Sequence, residues 1–142
     1  MTKVKRVIVF CAMIGLALSL GCQDTEEITQ IDGFNKNENN FAVVNAQNSF
    51  SIAVTAKALN SAVEYQLDFN TLSFGIALSV DNLTLGDVTI QVFNDTKQML
   101  YKADFKQKIS LAQNVDLEEK PTKIKFIFNN FTASFSCALT AK

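Results

Sequence analysis

Leu72-Ser73-Phe74-Gly75-Ile76-Ala77-Leu78-Ser79-Val80 alternates strictly between apolar and small residues. In an extended chain successive side chains point to opposite faces, so Leu72, Phe74, Ile76, Leu78 and Val80 share one side. The other side carries only Ser73, Gly75, Ala77 and Ser79. The same period of two recurs on both sides of this stretch. Upstream, Phe50, Ile52, Val54, Ala56 and Ala58 oppose Ser51, Thr55 and Lys57, and Val63, Tyr65, Leu67 and Phe69 oppose Glu64, Gln66, Asp68 and Asn70. Downstream, after the turn-forming Asp81-Asn82 and a kink near Gly86, Val88, Ile90 and Val92 line one face. Met99, Tyr101, Ala103 and Phe105 line the next.

A turn centred between Thr96 and Lys97 sets Val92 opposite Tyr101, Ile90 opposite Ala103 and Val88 opposite Phe105. Gln91 then meets Lys102, Thr89 meets Asp104, and Phe93 pairs outward with Leu100. Gln113 to Thr122 holds the single proline, Pro121, with Asp116, Glu118 and Glu119, and reads as a loop. Two closing strands follow. Ile124, Phe126 and Phe128 face inward on the first, Phe131, Ala133, Phe135, Cys137 and Leu139 on the second, and Asn129-Asn130 suits a tight turn between them. No segment has a helical period. Roughly seven to eight short strands predict an all-β fold, an antiparallel β-sandwich, with a small β-barrel as the alternative.

The N-terminus has a different grammar. Lys3, Lys5 and Arg6 precede an uncharged apolar run, Val7 to Leu20, in the order of a secretory signal. The run is shorter than the roughly 20 apolar residues that a membrane-spanning helix needs. It ends in Leu18-Ser19-Leu20-Gly21-Cys22 and turns polar at Gln23-Asp24.

This ending resembles the lipobox of bacterial lipoproteins, in which a small residue precedes the cysteine, the sulfur takes a diacylglycerol, and cleavage occurs before it. Gly21 and Cys22 match, while Ser19 stands where that family most often has Leu. The resemblance implies lipidation at Cys22 and a membrane partner through the acyl anchor, since two or more chains hold firmly where one binds marginally. Gln23, in place of the Asp that retains many such proteins at the inner membrane, implies the outer membrane, with the domain on its periplasmic side or at the cell surface. The order Gly86 to Val92 leading into a hairpin and Phe-rich closing strands resembles, without a diagnostic motif, small accessory β-sandwich domains of secreted bacterial proteins.

The expected organisation is therefore a signal peptide over residues 1–21, a lipidated N-terminus and polar tether over 22–48, and a β-sandwich domain over 49–142. A short strand at Phe41 to Val44 joins the domain. Cleavage before Cys22 removes three of the 13 basic residues and none of the 14 acidic ones, leaving a net charge of −4. That balance carries no electrostatic footprint for nucleic acid. Cys11 leaves with the signal and Cys22 takes the lipid, so Cys137 has no intramolecular disulfide partner and the domain must be held by its core.

Histidine is absent, which removes the commonest general base and transition-metal ligand. Cys137 alternates with Phe135 and Leu139, a setting in which a thiol behaves as a small hydrophobe. Glu64 and Asp68 share a face but lie roughly 13 Å apart along a strand, too far for a glycosidase pair. No Trp is present, both tyrosines face inward, and the outward apolar features are Phe93 with Leu100, and Ile127. The leading expectation is a non-enzymatic, envelope-anchored lipoprotein with no catalytic, cofactor or metal residues, binding an envelope protein or glycan. The alternatives are a carbohydrate-active accessory or hydrolase domain using surface carboxylates, and a calcium-stabilised adhesion module built on the Asp116 to Glu119 loop.

Overall fold

The computed structural model describes residues 38–142. The expected signal peptide, the expected lipidation site Cys22 and most of the expected tether lie outside the described residues. Six strands form one open antiparallel sheet: β1 (Asn40–Ala46), β2 (Ser49–Gln66), β3 (Ser73–Phe93), β4 (Met99–Phe105), β5 (Ile109–Asp116) and β6 (Lys123–Ala141). The order is β1-β2-β6-β3-β4, with β5 also paired to β3. The all-β antiparallel class is the one the alternation predicts, and the strand at Phe41 to Val44 is β1.

Among the described residues the count of seven to eight strands is corrected to six, because three of the expected breaks between strands are bends within continuous strands, and β5 is a strand the sequence reading did not contain. β2, β3 and β6 run for 18, 21 and 19 residues. Each bends at residues with positive φ: Ala58 (51°) in β2, Asn82 (54°) and Gly86 (80°) in β3, and Asn130 (46°) in β6. The ladders shift register at the same places, between Ala56, Leu59 and Ser61 against β6 and between Asp81, Leu85 and Asp87 against β6. A bulge inserts a residue and reverses the parity of the strand beyond it. Accordingly the buried series changes from Phe50, Ile52, Val54 and Ala56 to Leu59 and Val63 in β2, and from Ile124, Phe126 and Phe128 to Phe131, Ala133 and Phe135 in β6. In β3 the two irregularities cancel, so Phe74 to Val80 and Val88 to Val92 are buried at the same parity. The apolar residues stay on one side of the sheet throughout.

The bend line divides the sheet into two arms. The first consists of β1, β5 and the stretches 49–56 of β2, 73–81 of β3 and 131–141 of β6. The second consists of β4 and the stretches 61–66 of β2, 87–93 of β3 and 123–129 of β6. Ring contacts join their inner faces. Phe126 of the second arm lies 5.9 Å from Phe50 and 5.7 Å from Phe135 of the first, and Phe74 meets Tyr101 edge-on at 6.1 Å. Such pairs add roughly 0.5–1.5 kcal/mol each beyond the area they bury.

The bend's own polar groups are satisfied by short side chains, as buried or interrupted backbone requires. The Ala58 N–H donates to Thr132 Oγ1 at 2.8 Å, and the Asn130 N–H donates to Asn60 Oδ1 at 2.8 Å. Asn129 Nδ2 donates to Asp87 Oδ1 at 2.7 Å. Asn129-Asn130 is thus a bend rather than the tight turn expected of it: only Asn130 adopts positive φ, whereas a type I′ hairpin turn needs two such residues in succession.

The β3–β4 register is the expected one from Val88↔Phe105 through Val92↔Tyr101. A register shift after Val92 then pairs Phe93 with Met99 instead of Leu100. Residues 113–116, read as loop, complete β5, whose side chains alternate opposite residues 73–80 of β3. Ala58 and Leu72, read as inward, are exposed, Ala58 because it is the bulge residue and Leu72 because it precedes β3. Met99, also read as inward, is exposed at the start of β4.

Gly86 tests the bend. An added Cβ there would collide with the backbone carbonyl oxygens of Asn129 and Asn130, on a backbone already at positive φ. At Gly75 it would meet only the end of the flexible Lys142 side chain, at 3.1 Å. Gly86→Ala is expected to destabilise the protein by about 2–4 kcal/mol and Gly75→Ala by less than about 1 kcal/mol, read as midpoint shifts in urea unfolding. Equal effects would contradict the role given to Gly86.

Candidate functional site

The residues with chemistry are dispersed and engaged. Glu64 sits on the outer face of the second arm, 3.1 Å from Lys125 Nζ and 3.2 Å from Lys123 Nζ. Hydrogen bonds from Lys125 and then Lys123 hold its carboxyl below the usual glutamate range. That is the opposite of what a glycosidase acid requires, namely a raised pKa. Asp68 lies beyond the end of β2 and is exposed, its backbone carbonyl accepting from the Asn48 N–H. In the acidic segment, Asp116 ends β5 and Glu119 accepts a 2.6 Å hydrogen bond from Asn94 Nδ2. Among the described residues no three Asp, Glu, Cys or His side chains cluster as a metal site would require.

The tyrosines are half-buried, and burial raises both phenols above their ordinary range. Phe93, Leu100 and Ile127 are each partly covered rather than forming an exposed patch. Cys137 is 2% exposed, inside the core between Phe135 and Leu139, and desolvation pushes its thiol up to about 12.

The two outer faces of the bent sheet differ in kind. On the second arm, Lys102 Nζ lies 3.2 Å from Asp104 Oδ2, Thr89 Oγ1 donates to Asp104 Oδ1 at 2.6 Å, and Glu64 bridges the two lysines of β6. This is a charged, solvated face. On the first arm, two cross-strand rows run the full width of five strands without a charge. One row is Ala42–Ala53–Ser136–Ser79–Ser110 and the next is Val44–Ser51–Ala138–Ala77–Ala112. Nothing in either row is larger than valine.

The rows line a trough of about 730 Å³, with β1 along one rim, β5 along the other, and β2, β6 and β3 as its floor. Ser79 and Ser136 hydrogen-bond to each other across the floor at 3.0 Å. Val44, at 60% exposure, is the largest side chain standing on the rim. Every residue lining the trough is uncharged, and Cys137 contributes there from the strand whose side chains alternate into the core. What the surface presents is methyl groups, hydroxyls and closely approachable backbone. It supplies shape complementarity and dispersion to a flat or extended occupant, since short side chains let a second backbone approach closely.

In the sequence, one strip of this face is plain in the series Ser73, Gly75, Ala77 and Ser79. The rest is carried by the alternate residues of four other strands, Ala42 and Val44, Ser51 and Ala53, Ser110 and Ala112, Ser136 and Ala138. These join into a face only when the strand order is known.

No protein-family model matches the sequence, and no curated protein matches it.

Cys137 should be inert to a thiol reagent such as Ellman's reagent in the folded protein at pH 8 and react fully after denaturation. Fast reaction in the native state would place the thiol on the surface and reverse its assignment to the core.

Proposed function

We propose that the protein is a lipid-anchored envelope protein, tethered through Cys22, whose non-enzymatic β-domain binds an envelope protein or glycan through the uncharged trough on the outer face of its first arm. The observation that carries this reading is the contrast between the two outer faces. One is laced with ion pairs, and on the other two adjacent cross-strand rows carry no charge and no side chain larger than valine across five strands. A solvated sheet face has no need of the second arrangement, and an uncharged contiguous surface is a common mark of an interaction site. The anchor is supported by the basic residues, the apolar run and the Gly21-Cys22 junction of the N-terminus. The outer membrane is the destination implied by Gln23.

The reading has two separable parts. For the anchor, mass spectrometry of the membrane fraction should find a mature N-terminus at Cys22 carrying added acyl mass, and Cys22→Ala should leave the membrane. An unacylated, soluble wild type would remove the anchor and the localisation with it. For the face, the double variant Ala53→Arg/Ala138→Arg places two charges at exposed trough positions. It should unfold within about 1 kcal/mol of wild type and lose roughly tenfold or more of its retention by isolated envelope material. Unchanged retention would move the binding surface elsewhere.

A further inference from the structure

Across the bend line β2, β6 and β3 each fold back over themselves, so each contributes a stretch to both arms. β5 and β4 match in the same way, flanking residues 73–80 and 88–93 of β3 on the side away from β6. β1 has no such counterpart among the described residues: the first arm is five strands wide and the second four. The second arm therefore ends at residues 61–65 of β2. Tyr65 on this edge and Val43 of β1 stay half-buried, whereas Phe126 and Phe135 in the middle of the two arms are sealed. Ser61, the first residue of the edge, has a buried hydroxyl with no hydrogen-bond partner among the described residues. A buried polar atom of this kind calls for a partner. At the far end the Gln66 carbonyl accepts from Asn45 Nδ2 at 2.8 Å, which closes the edge there.

The chain that leads into β1 arrives at the open end of this edge. β1 pairs with β2 antiparallel, so its N-terminal direction runs toward higher numbers in β2. Asn40 lies opposite Thr55, the Lys57 N–H donates to Asn39 Oδ1 at 2.8 Å, and Glu38 meets Lys57 Nζ at 3.1 Å. Glu38 is thus already at the bend line, one step from the bulge residue Ala58. We propose that the segment before Glu38 crosses the bend as β2, β6 and β3 do and pairs antiparallel with residues 61–65 of β2, completing the second arm. Continuing the register of Asn40 with Thr55 sets residues 30–34 beside this edge, shifted by about one residue where a bulge intervenes.

The composition of the segment fits that path. Asn35, Asn37 and Asn39 fall at the line where Asn82 and Asn130 bend β3 and β6. Phe34 then shares the inward parity of Ser61 and Val63, while Asp32 and Gln30 lie further along the rim, where Tyr65 is itself only half-covered. The consequence concerns the anchor and rests on the reading of Cys22 as lipidated. An unpaired chain leaves the domain at the bend, on a tether that can span roughly 60 Å. A paired one leaves beside Tyr65, toward the opposite end, with residues 22–29 as a leash of at most roughly 28 Å. The pairing holds the domain close to the membrane with its bend pointing away.

The test is amide exchange followed residue by residue by NMR, on the full-length chain purified in detergent from the cells that express it. In the wild type, the amides of residues 61–65 that point away from β6 should exchange at least tenfold more slowly than those of the exposed Asp95–Thr96 turn. Cross-strand proton contacts should join residues 30–34 to residues 61–65. In Ile31→Pro/Asp32→Pro, which removes a donor of each parity, those contacts should vanish and the outward amides exchange at least tenfold faster. Amides bonded to β6 should stay within about twofold, and Thr25→Pro/Glu26→Pro should change nothing. Freely exchanging outward amides in the wild type overturn the proposal, as do cross-strand contacts to any other segment or to a second copy, and protection that survives the prolines at 31 and 32. Should those prolines loosen the whole arm, the wild-type contacts decide alone. The mass of the same sample reads acylation separately, and an unacylated Cys22 removes the leash without touching the strand.

Discussion

At Gly86 the backbone of β3 comes so close to the carbonyls of Asn129 and Asn130 in β6 that no side chain fits between them. The two central strands of the sheet can bend together only because of this contact. A flat sheet of this width would leave one apolar face in water. With the bend, residues 123–129 of β6 swing over residues 131–141 of the same strand, and Phe126 and Phe128 reach Phe135 at 5.7 and 5.9 Å. Burial of seven phenylalanines to 2% exposure or less, together with the β-branched residues of β3, follows from that closure. With Cys137 free and buried and no disulfide among the described residues, the domain depends on such packing for its stability.

Because the bend inserts residues, it would turn the apolar series to the wrong side if the sequence did not compensate. A one-residue slip in a strand moves every side chain to the other face. β2 and β6 change parity once, and β3 changes twice and returns, so all three present Phe, Ile, Leu and Val inward on both sides of the line. The residues at the line are the ones that tolerate it. Asn82 and Asn130 adopt positive φ at small steric cost, Gly86 at none, and Asn60 and Thr132 supply the acceptors that the interrupted ladders leave wanting.

This explains why the strands were legible in the sequence and their continuity was not. Alternation identifies which residues face the core, and in the β3–β4 hairpin, together with a turn centred between Thr96 and Lys97, it was enough to set the register that puts Val88, Ile90 and Val92 opposite Phe105, Ala103 and Tyr101. A positive-φ asparagine between two alternating runs, however, reads the same whether the chain reverses or merely kinks. At Asn129-Asn130 the difference lies in Gly86, more than 40 residues away, whose missing side chain permits the close approach. β5 was missed for a related reason: Asn114 and Asp116 are turn-prone residues, and the ladder to β3 overrides that preference. The trough was less legible still, being assembled from the unremarkable side of five strands.

That unremarkable side needs an explanation that stability does not provide. Alanine, serine and glycine are poorer strand formers than the valine, threonine and isoleucine that an exposed sheet face readily accepts, and they forgo cross-strand pairs worth roughly 0.2–1 kcal/mol each. The second arm of the same sheet shows the ordinary solution, with Glu64 between two lysines and Asp104 between Lys102 and Thr89. Both arms share β2, β3 and β6 and one core, yet their outer faces are built differently. Reducing the side chains on one face lowers it toward the backbone and leaves a broad, uncharged floor. A face that forgoes these pairs on one arm and keeps them on the other is the contrast from which the binding role is proposed.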